Sequence, residues 1–379
     1  MGSIREDLPP AAPPQGPPVR ETGIAQVMTS TSVGKHPTAF HATGLPILQV
    51  ALNVGLMSAN LGPLLAPLAR TASPPAVIYA KLLAYKQGNR GTVRYEVDGI
   101  GDSRTIVLGK LYPQVVQAQR VERVLQALWG EVFAGDDGLG VPRPLGCIPE
   151  LSMLVYIPVE GEPLDEVLPR DGSTRPIELT AAWLRALHQA RLSLDRRLQM
   201  ATELVNVEAW AALVGQAYPD EAAGTASLAA GLRAAAASSR FRTDTPIHKD
   251  FHYKHVIVDG GLRVIDFDEV RLGDPMYDVA HFCAHLRLLA LRTVGDPAGF
   301  TGLEQAFLRA YGGDLVARDE RFSWFATYTC LKIAKQLCTV RGVRPRPDGE
   351  ERHHQVRVML DQARAYWAAL PGPGGGSPR

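Results

Sequence analysis

The densest concentration of potential chemistry lies in His248-Lys-Asp-Phe-His-Tyr-Lys-His255, followed by Asp266 and Asp268 in IDFD and by Gly273-Asp-Pro-Met-Tyr-Asp278. Carboxylates and imidazoles interleaved in this way can accept protons, and they can also ligate a cation. Between them, Val256-Ile-Val and Leu262-Arg-Val-Ile are β-prone runs flanking Asp259-Gly-Gly261, which predicts a tight hairpin. With Gly260 and Gly261 as the two loop residues, Asp259 faces Leu262, Val258 faces Arg263, and His255 faces Asp266. Directly opposed residues have Cβ atoms about 4.5–5.5 Å apart, so two potential metal ligands are expected side by side at the open end. Asp250 precedes the first strand, and the one hairpin then delivers a base and a cation site. Phosphoryl transfer needs those parts: a carboxylate to orient an attacking hydroxyl and accept its proton, and ligands to hold a divalent cation on the phosphates.

A zinc reading of His248, His252 and His255 competes with this one, since imidazole is a good zinc ligand. A helical HExxH arrangement puts its histidines on one face, whereas this segment runs into a strand, which argues against zinc hydrolysis. His353 and His354 fall in an arginine-rich helical stretch and read as surface residues.

The segment resembles the aminoglycoside phosphotransferase and choline kinase group. In that pattern H-x-D, a second His two residues after the Asp, and a metal ligand five residues after it precede a hairpin and an I-D-F. The resemblance implies a protein kinase-like α+β fold of two lobes that uses ATP with Mg²⁺ or Mn²⁺ to phosphorylate a small hydroxylated molecule. It makes Asp250 the catalytic base, puts His255 in the metal-ligand position, and makes Asp266 the principal metal carboxylate; Asp268, two residues on, reads either as a further carboxylate supporting the metal site or as an ordinary exposed residue. His248 and His252 match flanking histidines. Upstream, Lys110 in IVLGKLY falls where the family has its phosphate-binding lysine, with Glu122 on the next helix as its ion-pair partner. Gly88-Asn-Arg-Gly91 takes the place of the hairpin that covers the phosphates. Leu154 to Val159, including Val155 and Ile157, takes the place of the interlobe hinge against adenine. Asp278 resembles a residue that supports the catalytic loop, and Asp274 before Pro275 reads as an N-cap with proline at the first helical position. His255 departs from the family's usual oxygen or amide ligand, and Mg²⁺ prefers oxygen. A nucleotide-binding pseudokinase scaffold without transferase activity is therefore the second reading.

The elements that must position these residues change character once along the chain. Thr92 to Val97 and Thr105 to Leu108 are short β-branched runs separated by VDGIGDSR, which predicts an antiparallel hairpin. Val121, Val124, Leu125, Leu128 and Trp129 then recur with the spacing of one buried helix face. SMLVYIPVEGEPL reads as a strand running into a Gly/Pro-marked connector, and from Leu179 onward Ala/Leu/Arg helices dominate. Sheet first and helices later predicts two lobes. The expected division is a disordered Pro-rich arm (1–35), an N-terminal nucleotide-binding lobe (36–155), a helical C-terminal lobe with the catalytic hairpin (156–370) and a disordered tail (371–379).

Composition excludes several other classes. Lys and Arg number 40 against 39 Asp and Glu, and the basic residues are dispersed, so no nucleic-acid partner is expected. Four separated cysteines make neither CxxC pairs nor a disulfide framework, which together with no leader pattern at the start suits a cytoplasmic setting. Gly44 to Ala69 is free of charge, but Pro46, Pro63 and Pro67 interrupt it and Gln49, Asn53 and Asn60 would lack partners in lipid. A pair of short helices, not a membrane span, is expected there. Between Glu178 and Asp244 acidic and basic residues balance, which argues against a polycationic acceptor and leaves sugars, amino alcohols and other metabolites.

Overall fold

A computed structural model describes residues 47–70, 74–86, 90–100, 104–135, 138–313, 315–340, 344–345 and 349–370. The expected arm, the expected tail and Gly88 lie outside them. The first lobe is an antiparallel sheet of β1 (Ala76–Lys86), β2 (Arg90–Asp98), β3 (Thr105–Leu111), β5 (Arg143–Ile148) and β6 (Met153–Ile157), in the order β1-β2-β3-β6-β5. β4 (Leu139–Gly140) belongs to the second lobe.

Strand alternation divides the two faces of this sheet. Val107 and Leu111 of β3, with Met153 and Val155 of β6, point one way and pack against Met57, Leu61 and Leu65 of a helix, Val54–Leu65. That helix and the shorter Ile47–Ala51 are the expected pair, α2 and α1, and Tyr95 Oη donates to the Ala51 carbonyl at 2.7 Å to tie them to the sheet. Among the described residues no helix is long and apolar enough to cross a membrane. Leu108 and Leu154 point the other way, toward α3 (Val115–Ala127), which buries Val121, Val124 and Leu125. Trp129 departs from the expected stripe. A π turn at Leu128–Val132 widens the helical period, so Leu128 stays buried while Trp129 is 42% exposed.

The second lobe is built on long helices, including α5 (Arg175–Gln189), α8 (Met276–Val294) and α10 (Glu320–Cys338), with α4 (Leu164–Asp171), α6 (Met200–Ala217) and α7 (Ala222–Ser238) between the first two. They support a small sheet of β4, β10 (Leu262–Val264), β9 (Val256–Val258) and β7 (Glu162–Pro163), and a separate pair of β8 (Thr245–Ile247) with β11 (Arg271–Gly273). Wholly buried Trp183 of α5 is the centre of an aromatic stack: Phe133 lies at 5.2 Å and 12° on one side, and Phe251 at 5.8 Å and 9° on the other. Its indole N–H donates to the Gly140 carbonyl at 2.9 Å. Because Phe251 follows Asp250 directly, this stack fixes the floor of the HxD segment.

The hairpin forms, but one residue out of the expected register. Leu262 pairs with Val258, Arg263 with Ile257 and Val264 with Val256. Asp259 joins Gly260 and Gly261 in the loop because its carboxylate accepts the Gly261 N–H at 3.2 Å, making an Asx turn in place of a two-residue loop. His255 therefore lies opposite Ile265, whose N–H donates to the His255 carbonyl at 2.9 Å, and not opposite Asp266.

The connector from β6 to β7 passes close to this hairpin. Gly161 has φ +125°, and a Cβ there would run into the Val258 carbonyl oxygen. Gly161→Ala is expected to destabilise the protein by about 1–3 kcal/mol, the usual cost of such backbone strain, with the shift read as a lower urea midpoint.

Candidate active site

The HxD segment leaves β8 and turns sharply, with Lys249 at φ +67°, a left-handed conformation that L residues rarely adopt. Asp278, in the first turn of α8 and wholly buried, holds that turn. Its carboxylate accepts the backbone N–H of His248 at 2.6 Å and of Lys249 at 2.8 Å. His188 Nε2 approaches the same carboxylate at 3.1 Å, which leaves Nδ1 to accept the Tyr311 hydroxyl at 2.7 Å. Asp274 accepts the Met276 N–H at 3.0 Å and the Arg242 N–H at 2.8 Å, but the helix begins one residue later than the motif suggests, so Pro275 and not Asp274 takes the N-cap position.

This turn presents Asp250 to the cleft with its side chain 40% exposed. Burial of its surroundings opposes ionisation, yet His281, His255 and His252 together hold the carboxyl well below the usual carboxylate range. His255 follows on a short 3-10 turn, and its Nδ1 donates to the Asp250 carbonyl at 2.8 Å. A carbonyl can only accept, so the neutral ring carries its lone pair on Nε2, the tautomer required of a metal ligand. That Nε2 is 3.8 Å from Asp266 Oδ2. The slip in register would send Asp266 away from His255, but Asp266 adopts φ +67° and turns its carboxylate back. Asp266 is held well below the usual carboxylate range: burial opposes ionisation, and Lys110 and His255 outweigh it.

Lys110 reaches across from β3 to the second lobe. Its Nζ lies 3.0 Å from Asp266 Oδ1 and 2.8 Å from Asp268 Oδ1. Burial lowers the ammonium pKa and Asp266 pulls it back up. Asp268 also accepts from the Tyr112 hydroxyl at 2.7 Å and pairs with Arg90, and its backbone carbonyl accepts from Arg196 at 2.9 Å. Asp268 thus faces Lys110, Tyr112 and Arg90, while Asp266 stands between Lys110 and His255. Asp266 and His255 are near enough to share a cation, and Asp250, His252 and His255 also offer ligand atoms all within 4.8 Å of one another.

Several expected residues are placed elsewhere. Glu122 does not pair with Lys110. It sits about 100° round the helix from Val121, which faces the cleft, and it accepts from the Cys147 backbone N–H and from Gln126 at 3.2 Å. Burial raises the Glu122 carboxyl pKa. Val155 points into the core beneath α2, so strand alternation gives the cleft Leu154 and Tyr156 in its place, and Ile157 is not among the cleft-lining residues. Gly91 lies within β2, paired with Tyr85 and Leu111. The cleft lies between Leu108, Lys110, Leu154, Tyr156, Ile265 and Asp266. Sequence reasoning did not find Tyr112, which donates to Asp268, or His281, which stands beside Asp250.

Comparison with known proteins matches this geometry at the level of the fold. A choline/ethanolamine kinase family protein from Mesorhizobium loti superposes with a TM-score of 0.51 at 13% identity, covering 73% of this chain and 88% of that one. An amicoumacin kinase in complex with AMP-PNP, Ca²⁺ and its ligand gives a TM-score of 0.51 at 14% identity, covering 76% and 88%. Both support the two-lobed kinase-like α+β architecture. No curated protein sequence is significantly similar to this chain. A model of the phosphotransferase enzyme family matches residues 94–322, more than half of the chain and all of the cleft residues from Lys110 to Asp278, and the chain belongs to that family.

Proposed function

We propose that this protein is an ATP-dependent phosphotransferase that moves the γ-phosphoryl group of ATP to a hydroxyl of a small molecule. The observation that carries the reading is the convergence, across one interlobe cleft, of Lys110 from the first lobe with Asp250, His255 and Asp266 from the second. In this reading adenine lies against Leu108, Leu154 and Tyr156, and Lys110 holds the phosphates. Asp266 and His255 Nε2 would hold a divalent cation, which supplies neutralisation of charge on the phosphates. Asp250 accepts the proton of the attacking hydroxyl. It is suited to this because its neighbours keep it ionised and its exposed face opens to the cleft. The reaction then proceeds by positioning and charge stabilisation. The acceptor is a small hydroxylated metabolite, and a cytoplasmic setting, where ATP is abundant, fits the four free cysteines.

A pseudokinase scaffold would share the cleft but not the turnover. ADP release with a panel of hydroxylated compounds separates the two, and calorimetry without nucleotide affinity under any divalent cation would remove both. Asp250→Asn is expected to lower turnover by about 10²–10⁴-fold while leaving ATP affinity intact, because the base acts on the acceptor. Equal loss of binding and rate would make Asp250 structural. Lys110→Ala should raise the ATP Kd, and unchanged affinity and turnover together would take Lys110 out of the site. Imidazole suits Mn²⁺ better than Mg²⁺, so His255→Asn should lower the ratio of Mn²⁺-supported to Mg²⁺-supported turnover. An unchanged ratio would leave His255 no part in holding the cation.

A further inference from the structure

On the second-lobe side of Asp250 two cations stand without a counter-ion. Lys332 and Lys335 are at i and i+3 on α10, on one helix face, and both are half-buried. Among the described residues neither ammonium has a carboxylate within ion-pair distance. Aromatic neighbours fix where they sit. Tyr328, one turn before Lys332, packs on Trp210 of α6 with ring centroids 5.0 Å apart and on Tyr277 of α8 at 5.7 Å, and Lys335 Nζ lies 5.6 Å over the Trp210 ring. Tyr277 stacks on His281 at 5.8 Å and 14°, and His281 Nε2 is 3.6 Å from Asp250 Oδ1. One wall therefore runs from Lys335 through Lys332 to Asp250, and none of these residues lines the cleft between Lys110 and Asp266.

We propose that the acceptor carries an anionic group, a carboxylate or a phosphate monoester, and that Lys332 and Lys335 bind that group while the acceptor hydroxyl faces Asp250. Like charges at i and i+3 with no carboxylate between them repel, and an anion placed on both relieves the repulsion. Burial opposes the Lys332 ammonium, but Tyr277, Asp250 and Glu203 outweigh it, so the group stays charged. Burial and the charge of Lys332 hold the Lys335 pKa below its ordinary value. Glu203 does not neutralise Lys332, because its carboxylate is already paired with Lys249 at 2.8 Å and accepts from the Tyr328 hydroxyl. The chain beyond keeps the same sign: from Phe322 to Pro347 it has no acidic residue, and Arg341, Arg344 and Arg346 follow Lys335. A short hairpin, Thr339–Val340 with Arg344–Pro345, returns this segment from α10 to α6. An amino alcohol would bring a third cation to the wall, and like charges so placed disfavour it.

Assignment of this wall to the acceptor rests on the reading of Asp250 as the base, whereas anion binding does not. The test is calorimetry of the full chain loaded with ADP and Mg²⁺, titrated with glycerate, glycerol 3-phosphate, glycerol and ethanolamine. At least one of the two anions should bind, and which binds more tightly separates a carboxylate from a phosphate acceptor. Glycerol and ethanolamine should bind more weakly by about 10-fold or more, and Lys332→Gln should weaken the anion by about 10–100-fold, the loss expected for one charge-assisted hydrogen bond, with ADP affinity unchanged. Lys335→Gln carries the same expectation, as a second variant should Lys332→Gln disturb the fold. Absence of anion binding, tighter binding of glycerol or ethanolamine, anion affinity unchanged in both variants, or its loss in Lys110→Ala alone would each overturn the site. Anion binding that depends on Lys332 upholds it even where no hydroxylated compound elicits ADP release, an outcome that overturns the phosphotransferase reading alone.

Discussion

The buried carboxylate of Asp278 is the constraint on which the candidate site depends. Two backbone N–H groups, from His248 and Lys249, end on it, and Lys249 adopts a left-handed conformation where they do. A strained φ of this kind costs about 1–3 kcal/mol and persists where the surroundings over-determine it. Removing one partner of a buried charged network typically costs about 3–5 kcal/mol, so the anchor is strong enough to hold the turn. His188, Tyr311 and the Phe133–Trp183–Phe251 stack extend the anchor into α5 and the core. Asp250 is aimed by this assembly and not by its own hydrogen bonds.

A second constraint joins the lobes. Lys110 and Tyr112 from one lobe, with Arg90, converge on Asp268 of the other, so Glu122 is not the partner of Lys110 here. Asp268 is nearly buried, with its side chain 7% exposed, and several donors satisfy its charge. An isolated carboxylate at that depth would be costly, but one with a lysine, an arginine and a tyrosine hydroxyl around it is compensated. The arrangement brings the first lobe down onto Asp266 and fixes the distance between Lys110 and the Asp266–His255 pair.

Much of this was legible in residue order. H-x-D-x-H, the Asp-Gly-Gly turn, I-D-F and G-D-P required no tertiary information, because each encodes its own local geometry: a turn, a hairpin, a strand end, a helix start. The hairpin register was less legible. A two-glycine loop and an Asx turn differ by one residue, and the choice depended on whether the Asp259 side chain bonded its own backbone. The facing of Val155 against Leu154 was likewise open, since a strand buried on both faces shows no alternation in its sequence. Glu122 was assigned by order along the chain, while its direction depended on the rotation of α3 about its axis.

The sequence by itself determined the family, the two-lobed α+β plan and the identity of Asp250, His255, Asp266 and Lys110 as candidates, since those rest on residue types at fixed local spacing. Only the tertiary structure decided which groups meet. Asp268 lies opposite Lys110, Asp266 turns back toward His255 through a left-handed residue, and His281 closes on Asp250 from a helix that begins many residues later. The physical reason is that a charged pair is stabilised by proximity and burial, and both arise from packing elements distant in sequence, about which local propensity carries no information.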